Sequence, residues 1–479
     1  MLRLRNLASV IPESIPLGDM NIKWQNISID SRTIKPGDLF FALRGEKHDG
    51  HQFIRDACEK GASGVVLEKE FYQNHQFLRS ELTQSFLLVD NSLFALQLWA
   101  HYYHSLFKPI NICITGSNGK TTTKEMIAHL LASKYHVLKS KGNYNNEIGV
   151  PLTLLNLAPY HDVLVIEMAA RKSGEIKELT NIVKPDIAIV TNIGEAHVGL
   201  FESKVNIAKE KSEIILSLKD KGTAILNRDD AYFPYLRNCV SHHNDVISFG
   251  FHPEARLRAV SFEQEKEKGI HFDLLFQKEK RHQVFMPLLG RFNAYNALAA
   301  FAVGIKMDIS IDEVIHSISS FKSPEMHMEC LGLGWGITLI QDYYNSNPTA
   351  VKEALNSVAG ISKGRFKVAV LGDMLELGEQ SPDYHKEIGK IVALLSFDLL
   401  MGFGEYGRWI AQGAQEEGMS IDKILCFDRE DKEQLAIHLM EKVQKNSIVL
   451  IKGSRGMQME DIVQYWKKNE KTKGKGNHV

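Results

Sequence analysis

Short apolar runs alternate with polar, helix-like segments along the chain, and their spacing predicts three α/β blocks. The first block has short strand-like runs and ends in one apolar-periodic helix. In the second and third blocks, buried-type runs alternate with helical segments, a pattern typical of parallel sheets covered by helices. The predicted strands are 38–43, 64–67, 85–89, 110–115, 163–166, 187–191, 223–227, 337–341, 367–371, 399–403, 424–427 and 448–451, and the predicted helices include 92–107 and one running through Leu355.

The blocks predict an α/β fold with three domains, residues 1–108, 109–322 and 323–479. Pro109 lies directly after the first block, where a linker is expected. The second domain is expected to be built on a parallel sheet, and the third to be a second doubly wound, Rossmann-like sheet. At roughly 150 residues per domain, a length of 479 residues agrees with this division.

Composition and charge narrow the class of protein. Lys and Arg number 57 and Asp and Glu 58, for a net charge of −1, so the basic excess of a nucleic-acid-binding protein is absent. No apolar run reaches the roughly 18 residues of a membrane helix, and no secretory signal is recognisable. The five cysteines form no CxxC pair. We expect a cytoplasmic protein with neither a nucleic-acid nor a membrane partner.

A glycine-rich loop lies between a predicted strand and a predicted helix, the context of a phosphate-binding loop (P-loop). Its glycines let the main chain approach phosphate oxygens, Lys120 reaches the β- and γ-phosphates, and the Thr121 hydroxyl suits Mg²⁺. Position 114 holds Ile114 where the commonest loop has glycine, so this is a shorter variant. The predicted nucleotide contacts are Gly116, Ser117, Asn118, Gly119, Lys120, Thr121 and Thr122.

A nucleotide bound with Mg²⁺ also requires a carboxylate at the end of a neighbouring strand. Glu167 ends the apolar run 163–166 and is the candidate. An ordinary strand-end glutamate is the alternative, and the presence of the P-loop favours the metal ligand.

The motifs, taken in order, resemble those of the Mur ligases, ATP-dependent enzymes that build the cytoplasmic peptidoglycan precursor. The resemblance covers nearly the whole chain and is greatest with the branch that adds D-alanyl-D-alanine. It implies a UDP-substrate domain, a central ATP-binding domain and a closing C-terminal domain. The motifs that carry it are 30–32, 37–40 and 49–51 in the first block, 116–126, 142–153 and 191–197 in the second, and 342–348, 371–378 and 452–455 in the third.

The resemblance also implies substrates, cofactors and contacts. The substrates are UDP-N-acetylmuramoyl-tripeptide and D-alanyl-D-alanine, joined by a monomer through an acyl phosphate made from ATP, with two Mg²⁺ ions bound. The implied substrate contacts are Ser31, Arg32, Asn143, Asn145, Asn146, Asn347 and Asp373, and the implied ATP contacts are Asn293, Asn296, His327, Asp342 and Asn345. For Asp342, Asn345 and Asn347, contact with ATP and contact with the dipeptide are both open, and Asp373 has a helix N-cap as its alternative.

Three catalytic residues follow from the same resemblance: Lys120, His197 and Lys211. Thr121 and Glu167 would hold the first Mg²⁺ ion. His197 would hold the second as a neutral imidazole, with a carbamylated Lys211 supplying a carboxylate-like oxygen. Lys209 is the fallback for the carbamylated lysine, and a surface lysine paired with a nearby glutamate is the alternative.

Some positions depart from the family pattern. Phe292 replaces a usual histidine, His327 replaces a common arginine, and Ala169 and Arg171 replace a usual Gly and Asn after the Glu167 position. A paralogous ligase that joins a different amine to a carboxylate therefore remains an alternative. A third hypothesis is a P-loop switch that binds nucleotide without ligase activity. The third residue of the accepted tripeptide is left open.

Overall fold

The computed structural model describes residues 3–45, 48–81, 83–276 and 280–473. The chain forms two compact units: Met1–Asn111, Tyr135–Met168 and Lys177–Lys184 make the first, and Ile112–Lys134, Ala169–Ile176 and Pro185–Val479 make the second. β-Sheets lie in the N-terminal, central and C-terminal parts of the sequence, which confirms the predicted three-domain α/β fold class. Within the described residues, none of the helices combines the length and hydropathy needed to cross a bilayer.

The N-terminal part folds around a five-stranded sheet with the order β1-β5-β4-β3-β2. All neighbours pair in parallel except β1, which is antiparallel to β5. Strands β3, β4 and β5 are buried throughout, because helices cover the sheet. The elements are α1 (Leu4–Val10), β1 (Ile15–Leu17), β2 (Ile27–Ser28), β3 (Leu39–Phe41), a 3₁₀ turn (Gly50–Phe53), α2 (Ile54–Glu59), β4 (Gly64–Glu68), α3 (Lys69–Asn74), α4 (Phe77–Ser80), β5 (Ser85–Val89) and α5 (Ser92–Ser105).

The central part contains alternating strands and helices. Its elements are β6 (Ile110–Thr115), α6 (Lys120–Leu131), β7 (Val137–Lys139), α7 (Gly149–Leu154), β8 (Val163–Glu167), α8 (Glu175–Ile182), β9 (Ile187–Val190), α9 (Val198–Phe201), α10 (Lys204–Leu216), β10 (Thr223–Asn227), α11 (Phe233–Asn238), β11 (Asp245–Gly250), β12 (Leu257–Glu265), β13 (Gly269–Phe276), β14 (Lys280–Met286), α12 (Arg291–Lys306) and α13 (Ile311–Ser320). In the first unit β7 and β8 pair in parallel. In the second unit the order is β14-β13-β12-β11-β10-β9-β6.

An antiparallel extension of the central sheet was not predicted. Strands β12, β13 and β14 pair antiparallel after the parallel run that ends at β12. Buried and part-exposed positions alternate along β12 and β13, so their apolar signal has period two. A search for continuous buried runs misses such strands, because one face of an antiparallel sheet is solvated.

The C-terminal part is a six-stranded sheet with the order β15-β16-β20-β17-β18-β19. Only β15 is antiparallel to its neighbour, so the carboxyl ends of the other five strands share one edge. The elements are β15 (Glu329–Gly332), β16 (Thr338–Asp342), α14 (Pro348–Ile361), β17 (Lys367–Gly372), α15 (Ser381–Leu394), β18 (Leu399–Phe403), α16 (Gly407–Glu416), β19 (Ile424–Phe427), α17 (Lys432–Lys442), β20 (Ile448–Lys452) and α18 (Glu460–Lys473), with 3₁₀ turns at Gly334–Gly336, Gly378–Gln380, Ile421–Lys423 and Arg455–Met457.

Candidate nucleotide and metal site

The predicted P-loop joins β6 to α6, and its two glycines have no room for a side chain. Gly116 has φ +150° and Gly119 has φ +79°. A Cβ atom at Gly116 would lie 1.8 Å from Thr191 Oγ1, and one at Gly119 would lie 2.4 Å from Asn296 Oδ1. Lys120 folds over the loop and donates from Nζ to the carbonyl oxygens of Gly116 and Ser117, at 2.8 and 3.2 Å. The loop therefore follows a closely packed path that ends in a helix N-terminus, the arrangement that binds phosphate.

The segment that follows β9 supports the P-loop through hydrogen bonds. Ser117 Oγ accepts from the Gly194 amide at 2.8 Å, and the Asn118 amide donates to Asn192 Oδ1 at 3.0 Å. Thr191 Oγ1 donates to the Asn118 carbonyl oxygen at 2.6 Å. These hydrogen bonds hold the predicted strand-end motif 191–197 against the P-loop.

Asn293 and Asn296, predicted as ATP contacts, lie buried on α12 beside the P-loop. Asn296 Oδ1 accepts from Thr123 Oγ1 at 3.2 Å, and Asn296 Nδ2 donates to Asn293 Oδ1 at 2.9 Å. Asn293 Nδ2 donates in turn to the Leu289 carbonyl oxygen at 2.7 Å. Through these hydrogen bonds, the two side-chain amides on α12 stabilise the start of α6.

The 342–348 motif reaches the P-loop through Asn347. Asn347 is the N-cap of α14, where its Oδ1 accepts from the Ala350 amide at 3.0 Å and Pro348 occupies the first turn. Its Nδ2 donates to Asn118 Oδ1 at 2.6 Å. One asparagine therefore ends a turn, starts a helix and contacts the P-loop.

Other predicted residues of the motif lie at the carboxyl edge of the C-terminal sheet. Asp342 Oδ2 forms an ion pair with Lys452 Nζ at 2.6 Å, and the Lys452 side chain is only 2% exposed. Lys452 also donates to the Asn345 carbonyl oxygen at 3.1 Å, while the Asn345 side chain is exposed. His327 lies 4.5 Å from Tyr344, ring centre to ring centre.

Lys211 is buried on α10, whereas Lys209 is exposed. Burial and the charge of Lys120 lower the pKa of Lys211 to about 7, although Glu210 acts in the opposite direction. The Glu210 carboxylate accepts from the amides of Gly174 and Ile176 at 2.6 and 2.7 Å. The surface-lysine alternative is therefore wrong for Lys211, and its position suits a reactive, uncharged amine.

His197 is the N-cap residue of α9 and has a left-handed backbone, φ +60°. Its Nδ1 is hydrogen-bonded to the carboxylate of Glu376, which follows β17. This hydrogen bond and the charge of the nearby Arg171 lower the pKa of Glu376, while burial acts in the opposite direction. Metal-binding histidines commonly donate their other ring N–H to a carboxylate, so the arrangement fits a ligand through Nε2.

Within the first unit, Glu167 is a buried carboxylate at the end of β8. Asn145 Nδ2 donates to Glu167 Oε1 at 2.8 Å, and the Glu167 amide donates to Ser140 Oγ at 3.2 Å. Asn146 Oδ1 accepts from the Gly149 amide at the start of α7, at 2.9 Å, and the Asn143 side chain is exposed. The structure thus brings the predicted muramoyl segment to the predicted metal carboxylate.

The predicted uridine-nucleotide contacts lie in the loop after β2. Arg32 is exposed and forms an ion pair with Asp30 at 2.7 Å, and hydrogen bonds from Arg32 lower the pKa of Asp30 to about 2. Ser31 is buried, and its carbonyl oxygen accepts from Lys60 Nζ at 3.0 Å. Arg32 and Ser31 are adjacent in sequence, but Arg32 is exposed and Ser31 is buried.

Asp373, predicted to contact substrate, is buried at the end of β17. Its carboxylate accepts from the amides of Glu405 and Tyr406 at 3.0 and 2.9 Å, in the turn before α16. Burial raises its pKa, and these hydrogen bonds act in the opposite direction. Asp373 therefore joins two strand ends of the sheet edge.

The donor atoms fit a hard divalent cation. In the second unit, Thr121 offers a hydroxyl oxygen, His197 offers an imidazole nitrogen, and a carbamate on Lys211 would offer further oxygen. In the first unit, Glu167 offers carboxylate oxygens. In the part of the chain that the structure describes, no three His, Cys, Asp or Glu side chains cluster as a metal site.

Sequence reasoning assigned no role to several residues that join the parts of the second unit. The Glu195 carboxylate accepts from Thr349 Oγ1 and pairs with Lys204. Glu376 and Lys452 make the contacts described above. These residues lie inside or beside the recognised motifs, and this proximity is the feature of the sequence that could have identified them.

Three family descriptions match the chain: the Mur ligase family catalytic domain over residues 23–99, the Mur ligase middle domain over residues 114–304, and the Mur ligase glutamate ligase domain over residues 328–455. The UDP-N-acetylmuramoyl-tripeptide–D-alanyl-D-alanine ligase of Bacillus subtilis (strain 168) is 35% identical over 440 residues, 91% of this chain and 92% of that one. The enzyme of the same name from Escherichia coli (strain K12) is 30% identical over 94% of this chain and 95% of its own.

Solved structures give the same result. MurF from Acinetobacter baumannii superposes with a TM-score of 0.85 at 27% identity, covering 97% of this chain and 98% of that chain. MurF ligase from Thermotoga maritima in complex with ADP superposes with a TM-score of 0.81 at 28% identity, covering 94% and 98%. The comparisons therefore confirm the resemblance drawn from the motifs.

Proposed function

Because the chain belongs to the Mur ligase family, we propose that it is a cytoplasmic, ATP-dependent ligase that adds D-alanyl-D-alanine to UDP-N-acetylmuramoyl-tripeptide. The observation that carries the proposal is the junction at Asn118. There the P-loop, the segment after β9 and the 342–348 motif form one hydrogen-bonded unit. A nucleotide-binding loop joined in this way to a C-terminal domain suits a ligase whose amine substrate binds at that domain.

The reaction has two steps. The substrate carboxylate attacks the γ-phosphorus of ATP, so ADP leaves and an acyl phosphate forms. The amine of the dipeptide then attacks the acyl carbon, the C–O bond to phosphate breaks, and inorganic phosphate and a proton are released. Lys120 and the amides at the start of α6 hold the phosphates and reduce the repulsion between the two anions.

We assign the carbamylated lysine to Lys211 rather than Lys209. An amine attacks CO₂ only when it is uncharged, and the pKa of Lys211 is about 7. Its nitrogen forms a bond to the carbon of CO₂ and loses a proton, which leaves a carbamate with two oxygens. Burial on α10 protects that group from bulk water.

Bound Mg²⁺ would supply positive charge to the phosphoryl group and screen the attacking carboxylate. We assign Thr121 and Glu167 to one ion, and His197 and carbamylated Lys211 to the other. Hard oxygen donors dominate this set, as Mg²⁺ requires.

The substrate assignments follow the motifs. Ser31 and Arg32 are proposed for the uridine nucleotide, and Asn143, Asn145 and Asn146 for the muramoyl part. His327, Asp342 and Asn345 are proposed for ATP at the edge of the C-terminal sheet. Asn293, Asn296, Asn347 and Asp373 are bonded mainly to protein, so they would act on ligands through the loops they support.

Phosphate release tests the proposal directly. With ATP, Mg²⁺, UDP-N-acetylmuramoyl-tripeptide and D-alanyl-D-alanine, release should require all four components. Running the assay with meso-diaminopimelate or lysine as third residue identifies the accepted tripeptide. Release that ignores the dipeptide would refute the function. Release that depends on a different amine would instead support a paralogous ligase, the second candidate that Phe292 and His327 motivate.

A further inference from the structure

His197 has a left-handed backbone conformation, which non-glycine residues rarely adopt. A non-glycine residue at φ +60° persists only where its surroundings fix it. The residue lies at the start of α9, a helix of one turn, and its side chain is 23% exposed. Whatever fixes this turn also fixes the direction of the imidazole.

The loop after β17 contacts that turn through its main chain. The Gly199 amide donates to the Glu376 carbonyl oxygen at 3.1 Å. A Cβ atom at Gly199 would lie only 2.3 Å from the Gly378 nitrogen, so the two main chains touch with no side chain between them. Glu376 has φ +64° and His197 has φ +60°, so each side of the contact contains a non-glycine residue in the left-handed region.

The same loop holds the ring of His197. One carboxylate oxygen of Glu376 is bonded to His197 Nδ1, and the other lies 3.5 Å from the Arg171 guanidinium. A carboxylate at Nδ1 selects the tautomer that carries its proton there, which leaves the lone pair on Nε2. Arg171, which departs from the family pattern, lies on the far side of that carboxylate.

We propose that Glu376 is a positioning residue for His197: it aims Nε2 at the second divalent cation, and it does so only while the 375–378 loop is docked on residues 197–201. The inference rests on the proposed function for the identity of the reaction. It makes completion of the metal site depend on the C-terminal domain, so phosphoryl transfer would wait for that domain to dock.

Titration with Mn²⁺, followed by electron paramagnetic resonance in the presence of a non-hydrolysable ATP analogue, tests the proposal on the full-length protein. Glu376→Ala should raise the Kd of the lower-affinity Mn²⁺ site by about 10- to 100-fold, which is the usual effect of removing the hydrogen-bond partner of a metal-binding histidine. Glu376→Gln should keep most of the affinity, because its amide oxygen still accepts from Nδ1. Glu379→Ala removes an exposed carboxylate one position beyond that loop and should match the wild type.

Gly199→Ala separates docking from the carboxylate itself. It leaves Glu376 in place but puts a methyl group where the Gly378 main chain lies, so it should weaken the same Mn²⁺ site. Thermal unfolding confirms that each variant is folded. Wild-type Mn²⁺ affinity in Glu376→Ala or Gly199→Ala would overturn the proposal, as would a loss in Glu376→Gln equal to that in Glu376→Ala. The titration uses no amine, so failure of the ligase assay would refute the proposed function separately.

Discussion

Asn118 and Asn347 face each other as a reciprocal amide pair, although 229 positions separate them in sequence. Asn347 Nδ2 donates to Asn118 Oδ1 at 2.6 Å, and Asn118 Nδ2 donates to Asn347 Oδ1 at 3.3 Å. Asn118 belongs to the P-loop, and Asn347 caps the first helix of the C-terminal sheet. The P-loop is thus hydrogen-bonded directly to the C-terminal domain, where we propose that the amine substrate binds.

Substitution of Asn347 should separate its two roles. Asn347→Ala loses the helix cap and the amide pair, so it should lower the free energy of unfolding by about 1 kcal/mol and raise KM for ATP. Asn347→Ser keeps a capping oxygen but is too short to reach Asn118. It should recover most of the stability, measured by chemical denaturation, and keep the raised KM. A normal KM in Asn347→Ser would mean that the cap alone matters.

Removal of the P-loop cation should stop catalysis without unfolding the chain. Lys120→Ala should lower kcat at least about 100-fold, because one positioned charge at a developing oxyanion contributes on that scale. Its circular dichroism spectrum and thermal unfolding should match the wild type. Lys306→Ala, at the exposed end of α12, provides the matched control and should retain full turnover. Near-normal turnover of Lys120→Ala would contradict the phosphate role.

Lys211 should show a dependence on CO₂ that Lys209 lacks. Lys211→Ala should lose activity, and short carboxylates such as formate should restore part of it by replacing the carbamate oxygens. Lys209→Ala, two positions away on the exposed face, should behave as wild type. Rescue of Lys209→Ala in place of Lys211→Ala would move the assignment.

The sign of the pH effect at Lys211 follows from its lowered pKa. The amine is protonated below about pH 7 and uncharged above it. At fixed dissolved CO₂, wild-type activity should therefore fall as the pH drops through 7, because the protonated amine cannot attack CO₂. Activity of the formate-rescued Lys211→Ala variant should lack this step, since it has no amine to titrate.

His385 should make the protein lose stability in acid. The ring is fully buried, and its Nε2 accepts from the Met374 amide at 2.9 Å. Burial lowers the pKa of His385 to about 4, so between the unperturbed value near 6.5 and 4 the unfolded chain binds a proton that the folded chain does not. Stability is therefore lost as pH falls through this window, by up to about 3 kcal/mol at 1.36 kcal/mol per unit.

The stability of two histidine variants, measured by chemical denaturation from pH 7 to pH 4, checks this prediction. His385→Gln should be less stable at pH 7 but should show a shallower loss toward pH 4. His316→Gln, an exposed histidine on α13, should keep the wild-type slope. An unchanged slope in His385→Gln would show that other groups control the acid transition.

Much of the fold was predictable because its signals are local. The strands Ser85–Val89, Ile110–Thr115 and Thr223–Asn227 have the predicted bounds, since each is a buried apolar run between turn residues. The P-loop was predictable because its glycine spacing sits between a strand and a helix. The β12–β14 extension was missed because its half-exposed strands lack such a run.

By itself, the sequence determined the elements, the P-loop and the family, because each depends on residues close together in the chain or on motifs in a fixed order. Only the tertiary structure decided which distant residues contact one another and which are buried. The pairing of Asn118 with Asn347, the contact of His197 with Glu376 and the burial that separates Lys211 from Lys209 all depend on how distant elements pack. Hydrogen bonds and pKa values respond to atoms within a few ångströms, and chain order does not specify which distant residues those are.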